Sequence, residues 1–345
     1  MRAFTATAIL LSLATGLPAA ANLADSATLE AFLRGQLRMS DAEWSALSRG
    51  KAVVKTLPET VRHEMTTAGG VRVQATALAK FVDSFKTLDG FRTSQFVKQI
   101  GRFSETPQLA DLNTLTFEDD DIEALESCEV GDCDVPLSAA DIRRFNSEID
   151  WGAPGAAQKA ATLYRSVLFH HLSDYLSGGA SSLLQYGDRE TPVRLAAETD
   201  ALLQGVPSPL DRAPEFRNYL RHFPSSTLGH TEDFFYWSKE AFGFKPVVGL
   251  YHVSVYEPEA QGVVMISTTQ IYASHYMDGL VAVNALMPDP GADGAGFYWV
   301  YVNRSRVGSL TGFMGALARP IVQGRARAGL TRSLLQTKQR LEAAH

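Results

Sequence analysis

Four runs in the last third of the chain, residues 247–256, 263–272, 277–287 and 297–303, are rich in β-branched and aromatic residues and apolar at both even and odd positions. Successive side chains of a strand point to opposite faces. Val247, Tyr251, Val253 and Val255 therefore share one face, and Val248, Leu250, His252 and Tyr256 the other. A sheet apolar on both sides must be covered on both sides. The runs are parted only at Glu257-Pro258, at 273–276 and at 288–296, which predicts an antiparallel meander. The rest of the chain has to supply the two covers.

One cover follows the last run. Leu310, Met314, Leu317 and Ile321, then Leu330, Leu334 and Leu341, recur at helical spacing and predict a long C-terminal helix, kinked or split at Pro320. The other comes from the middle, where 120–125, 138–149, 156–176, 192–203 and 214–223 read as helices between Gly, Pro and Ser breaks. Ser138 with Asp141 forms an acidic variant of the capping box. The run Glu118-Asp119-Asp120-Asp121 lacks the alternate spacing and central Gly of a calcium loop; it reads as a helix N-terminus. Towards the N-terminus, 29–47 predicts two short helices, the second capped near Ser40 and Asp41. Strands over 53–55 and 61–73, a helix over 77–88 and a strand over 96–103 follow. The fold class is α+β, divided as 1–21, 22–49, 50–116, a helical insertion over 117–225, and 226–345.

Residues 1–21 read as a signal peptide. Arg2 gives a positive start, 8–17 an apolar run of about ten residues, and Ala19-Ala20-Ala21 a small-residue cleavage site. That run is well short of the roughly 20 residues of a membrane span, so the mature chain is expected to have no integral membrane segment and to be exported, periplasmic or secreted. Cys128 and Cys133, the two cysteines, flank Gly131. In an oxidising compartment the expected outcome is a small-loop disulfide; free thiols, or half of a metal or redox site, are the alternatives. With 38 acidic against 32 basic side chains and no long basic block, a nucleic-acid surface is not expected.

The common catalytic signatures are missing. Gly308-Ser-Leu-Thr-Gly312 has Leu where a nucleophile elbow needs Ser. His63-Glu64 is followed by Thr67 where a zinc-protease helix needs its second His, and reads as a strand-edge pair. Phosphate loops and dinucleotide turns are absent, and no metal or cofactor is expected. A polar and aromatic group remains in the last third: His230, Glu232, Asp233, Tyr236, Trp237, His252, Tyr256, Tyr272, His275, Tyr276, Asp278 and Asn284. From it and its surroundings Tyr251, His252, Tyr272, His275, Asn284 and Arg304 are the candidate ligand-binding residues, because pockets join a few polar groups to an apolar wall; the alternatives are that His252 and Asn284 are hydrogen-bonded interior groups and 272–276 closes a hairpin, or that the histidines serve catalysis or a metal. In Asn303-Arg304-Ser305-Arg306 one arginine can face inward, toward an anionic head group, while the other meets solvent; a surface ion pair at the strand's end is the alternative.

Strand, helix and strand over 51–103, a later antiparallel run, and Tyr298-Trp-Val-Tyr-Val-Asn-Arg-Ser-Arg306 followed by Leu310-Thr-Gly-Phe-Met-Gly315 resemble the START-like, or helix-grip, superfamily. The resemblance spans 50–105 and 230–343 and rests on element order. It implies a sheet gripped by the C-terminal helix around a cavity for a lipid or other hydrophobic small molecule. An enzyme, hydrolase or cyclase, using a His/Tyr/Asp cluster in that cavity, and a scaffold binding a protein partner through the helical insertion, are the alternatives.

Overall fold

Eight strands form one antiparallel sheet in the order β1-β2-β10-β9-β8-β7-β6-β3. These are β1 (Val53–Leu57), β2 (Glu64–Gln74), β3 (Val97–Arg102), β6 (Thr231–Glu240), β7 (Val247–Tyr256), β8 (Val264–Ala273), β9 (Met277–Pro288) and β10 (Gly296–Val307). A two-stranded ladder pairs β4 (Gln185–Tyr186) with β5 (Val193–Arg194). The helices are α1 (Ser26–Gly35), α2 (Asp41–Ser48), α3 (Leu78–Lys86), α4 (Asp119–Glu126), α5 (Ala139–Glu148), α6 (Ala156–Gly178), α7 (Leu195–Gln204), α8 (Pro214–His222) and α9 (Gly312–Ala343). The structure is a computed structural model and describes residues 26–343, except 59–60, 62, 89–93, 95, 206–207, 242–244, 260–261, 290–295 and 309–311, and except the side chains of 26–28 and 312–317. The expected signal peptide lies outside the described residues, as do Leu310 and the side chains of Met314 and Leu317.

The meander has one strand more than the runs predict. β6, Thr-Glu-Asp-Phe-Phe-Tyr-Trp-Ser-Lys-Glu, joins the sheet between β7 and β3. Its charged ends hide it from a search for apolar runs. β10 continues to Val307, because its polar end pairs with β2 as far as Arg306 opposite Glu64. α7 starts at Leu195, three residues after the expected Pro192, since β5 takes the intervening residues. Pro320 lies inside α9 without ending it. A proline costs the bond to the residue four back and a ring clash on one side, and here it sits exposed, while Leu334 and Leu341 anchor the later turns in the core.

Both faces are covered. On one face Phe235, Trp237, Val248, Leu250 and Tyr272 share a continuous core with Leu125, Phe145, Tyr164 and Leu168 of α4–α6. Farther along the same face, Val281, Val283, Val300 and Val302 pack with α1, α2, α7 and α8. On the other face Val71, Val253, Ile266, Leu286 and Trp299 meet Phe81 and Val82 of α3 and Leu334 and Leu341 of α9. Capping follows the sequence. Ser40 and Glu43 complete a capping box at α2, the Ser138 side chain accepts from the Asp141 N–H at α5, and Asp119, Asp120 and Asp121 occupy the first turn of α4.

Cys128 and Cys133 are joined by a disulfide, with Cα atoms 4.5 Å apart and Gly131 at φ +95° in the turn between them. A left-handed backbone is open to glycine at no steric cost. Backbone bonds from Gly131 to Gly187 and from Cys133 to Asp188 tie this turn down independently. The Cys128→Ala/Cys133→Ala double variant is therefore expected to lose no more than about 2 kcal/mol by loop entropy, read as a modest fall in the urea midpoint with unchanged slope.

Candidate functional site

The sheet is strongly curved. β1 and β3 are its opposite edges, and seven inter-strand spacings would hold them roughly 34 Å apart in a flat sheet. Yet Gln323 and Arg327 of α9 line a groove of about 310 Å³ with Thr56, Leu57 and Pro58 at the end of β1. Arg332 stands over the ring of Phe96, just before β3, at 5.9 Å. Nine helical residues, about 14 Å, thus reach both edges. The sheet curls until its edges meet the same helix.

A second observation agrees. By register Tyr301 on β10 aligns through Asn284, Ile266 and Val255 with Glu232 on β6, so Glu240 is four strands across and eight residues further on, roughly 30 Å away in a flat sheet. Burial raises the pKa of the Tyr301 hydroxyl, and the Glu240 charge raises it further. That coupling across the sheet agrees with a concave face.

That face carries α3 and α9, and its wall is Val71, Val73, Val253, Ile266, Leu286 and Trp299, with Trp299 edge-on to Phe81 at 4.8 Å. Set into this wall are Tyr236, Ser238, Glu240, Tyr251, Tyr301 and Asn303. Tyr301 and Asn303 occupy the middle of β10, flanked by β2 and β9, and still keep accessible surface, as does Glu240. No α9 residue from 318 to 330 is fully buried. This half of α9 packs on the sheet less closely than the later turns, where Leu334 and Leu341 are buried.

Hydrogen bonds organise the group. Ser238 Oγ donates to Glu240 Oε1 at 2.7 Å, Asn303 Nδ2 donates to Tyr301 Oη at 3.1 Å, and Trp299 Nε1 donates to Asn284 Oδ1 at 2.8 Å. Tyr236 and Tyr251 stack with centroids 4.9 Å apart. Burial pushes the Glu240 carboxyl up, against the Ser238 bond, and pushes up the hydroxyls of Tyr236 and Tyr251, with neighbouring charge adding to both. Gln270 Oε1 and Thr67 Oγ1 are buried without a partner among the described residues. Gly249 lies under Tyr251, where a Cβ would collide with the phenol. The tyrosine's pose depends on that glycine.

Of the candidate ligand-binding residues, Tyr251 and Asn284 lie on the concave face. His252, Tyr272 and Arg304 are on the opposite face, beneath the helices. His252 is buried, with Nδ1 bonded to Tyr175 Oη at 2.9 Å and Nε2 to Asp233 Oδ1 at 2.8 Å. Ser254 Oγ bonds the same carboxylate oxygen and the same ring nitrogen. A hydrolytic triad needs its acid and its nucleophile on different nitrogens, so this is an interior network. Burial pushes Asp233 up, but bonds from His252, Ser254 and Tyr219 outweigh it and hold the carboxyl below its ordinary value. Tyr272 bonds Tyr164 at 2.6 Å. His275, in the β8–β9 turn, pairs with Asp121 at 2.9 Å.

The arginines do not part. Residues two apart on a strand share a face, and Arg304 and Arg306 are both buried against Glu64. Glu64 begins β2 deep in the fold, and is no exposed strand-edge residue. Arg304 therefore already has an anion. His230 is exposed and does not approach His252 or His275. Among the described residues no group of three His, Cys, Asp or Glu side chains converges to hold a metal, and no helix is long and apolar enough to cross a membrane.

Asp278, beside Arg189 and Asp188, is pushed up to about 6, chiefly by burial and despite Arg189. A carboxyl whose folded pKa is raised contributes stability that is present below its unfolded value and lost as pH rises through the folded one. Relative to Asp278→Asn, the wild type is expected to lose up to about 3 kcal/mol between pH 4 and pH 7. Urea unfolding at both pH values checks this; a constant difference contradicts it.

Sequence reasoning missed Ser238, Glu240, Tyr301 and Asn303. The signal was present as alternation, since Tyr236, Ser238 and Glu240 are every second residue of one strand, but β6 had to be recognised first. No protein-family model matches the chain, and no curated protein matches it.

Proposed function

We propose that the protein binds a hydrophobic or amphipathic small molecule in the concave space between the sheet and α9. The observation that carries this reading is the accessible surface kept by Tyr301 and Asn303 between β2 and β9, inside an eight-stranded sheet and on the face that carries α3 and α9. A filled core would bury them. An apolar wall with a few convergent polar groups is what such sites require. The element order also supports the START-like, helix-grip reading, because the strand before the first crossover helix, β2, pairs with the last strand, β10, and α9 packs on β2. We further read the protein as exported; its disulfide is compatible with an oxidising compartment.

Native mass spectrometry of the purified protein tests the reading, with melting measured against a panel of fatty acids, sterols and phospholipids. A binder of the folded state raises the melting temperature by mass action. A co-purifying mass that organic extraction removes, and a shift from one class of the panel, are expected. A bare protein mass with no shift from any class contradicts the proposal.

A further inference from the structure

The polar end of the concave face has a charge sign of its own. Glu240 is the carboxylate there, and among the described residues no Lys, Arg or His forms an ion pair with it. Lys239, its neighbour in sequence, points to the opposite face and pairs with Glu118 at 2.7 Å. The side-chain partner of Glu240 among the described residues is the Ser238 hydroxyl, a neutral donor. Tyr236 precedes Glu240 by four residues on the same face of β6, Tyr251 stacks on Tyr236 at 4.9 Å, and the Glu240 charge adds to the rise of these two hydroxyls and of Tyr301. Most buried carboxylates are compensated by a cation or by several donors. This one keeps some accessible surface instead.

We infer that the ligand carries an organic ammonium group, a protonated amine or a quaternary nitrogen, which sits against Glu240 among Tyr236, Tyr251 and Tyr301, with its apolar part along the wall formed by Val253, Ile266 and Trp299. Aromatic faces attract a cation through their ring quadrupole, most strongly when it is desolvated. A carboxylate beside them adds direct charge compensation. An anionic head group is disfavoured by the same charge, and the arginine that would have met one, Arg304, is on the other face with Glu64. This inference rests on the proposed ligand-binding reading and adds the chemistry of the head group.

The test is titration of the full chain, by calorimetry, with four probes that share an octyl chain: octyltrimethylammonium, octylamine, octanoate and octyl glucoside. The two cations are expected to bind the wild type about 10-fold or more tightly than the other two, on the strength of a desolvated cation–π and ion-pair contact. In Glu240→Gln that preference is expected to vanish while octyl glucoside binding stays within about twofold, since the apolar wall is untouched. Octanoate or octyl glucoside binding the wild type as well as the cations overturns the head-group inference and leaves the pocket standing. Cation binding that survives Glu240→Gln also overturns it, because attraction to the acidic surface is then sufficient. No probe binding at all removes the pocket reading itself. The wild-type ranking decides the matter even where Glu240→Gln does not fold.

Discussion

Replacing Glu64 by Gln is expected to lower stability by about 3–5 kcal/mol, as does removing one partner of any buried ion network. Glu64 is 2% exposed, Arg304 4% and Arg306 5%. Arg304 Nε bonds Glu64 Oε1 at 3.0 Å, and Arg306 Nη1 approaches Oε2 at 3.1 Å. Without that charge the one acidic partner left to the two guanidiniums among the described residues is Glu198 of α7, 3.0 Å from Arg306 Nε and one-third exposed. The triple variant Glu64→Leu/Arg304→Leu/Arg306→Met is expected to recover most of the loss, because apolar residues of similar volume remove the desolvation penalty along with the attraction. Urea unfolding of both variants checks this. A loss below about 1 kcal/mol in Glu64→Gln, the range of solvent-exposed pairs, contradicts it.

Trp237→Ala should cost about 3–5 kcal/mol, the range for removing a buried aromatic side chain. The indole is 1% exposed, lies over Gly101, where a Cβ would collide with it, and donates from Nε1 to the Asp111 carbonyl at 2.9 Å. It stands in a core shared by β6–β8 and α4–α6. The sheet and these helices should accordingly unfold together, with far-UV and near-UV circular dichroism tracing one transition in the wild type and in Trp237→Ala. Separate transitions would mean that the helical segment is held by its own contacts and not by Trp237 and its neighbours.

Where one periodicity dominated, the sequence was readable. The residues 247–256 coincide with β7 because apolar side chains stand at both parities with no charge among them. The ends of α2, α4 and α5 were legible because caps are local chemistry, one side chain bonding one backbone group. Strand β6 was not, since Thr231, Glu232 and Asp233 at one end and Lys239 and Glu240 at the other mask an aromatic centre. The candidate site was half legible. Tyr251 and Asn284 could be picked by residue type, but which face a residue occupies relative to α9 depends on pairings such as Tyr251 opposite Tyr236. Curvature brings Tyr301 to Glu240, and no local pattern encodes that. Arg304 attracted notice as a cation, whereas its partner Glu64 is 240 residues away.

The central claim is that space exists over the middle of β10. Asn303→Trp tests it, because residue 303 lies on the α9 face of β10 and keeps accessible surface there. We expect octyl-chain amphiphiles to bind the wild type with one-to-one stoichiometry and to lose measurable binding to Asn303→Trp, while the variant unfolds within about 1 kcal/mol of the wild type, since filling a void introduces little strain. Absence of binding to the wild type, together with a loss of about 1–3 kcal/mol in Asn303→Trp, is the signature of an overpacked solid core and would contradict the account.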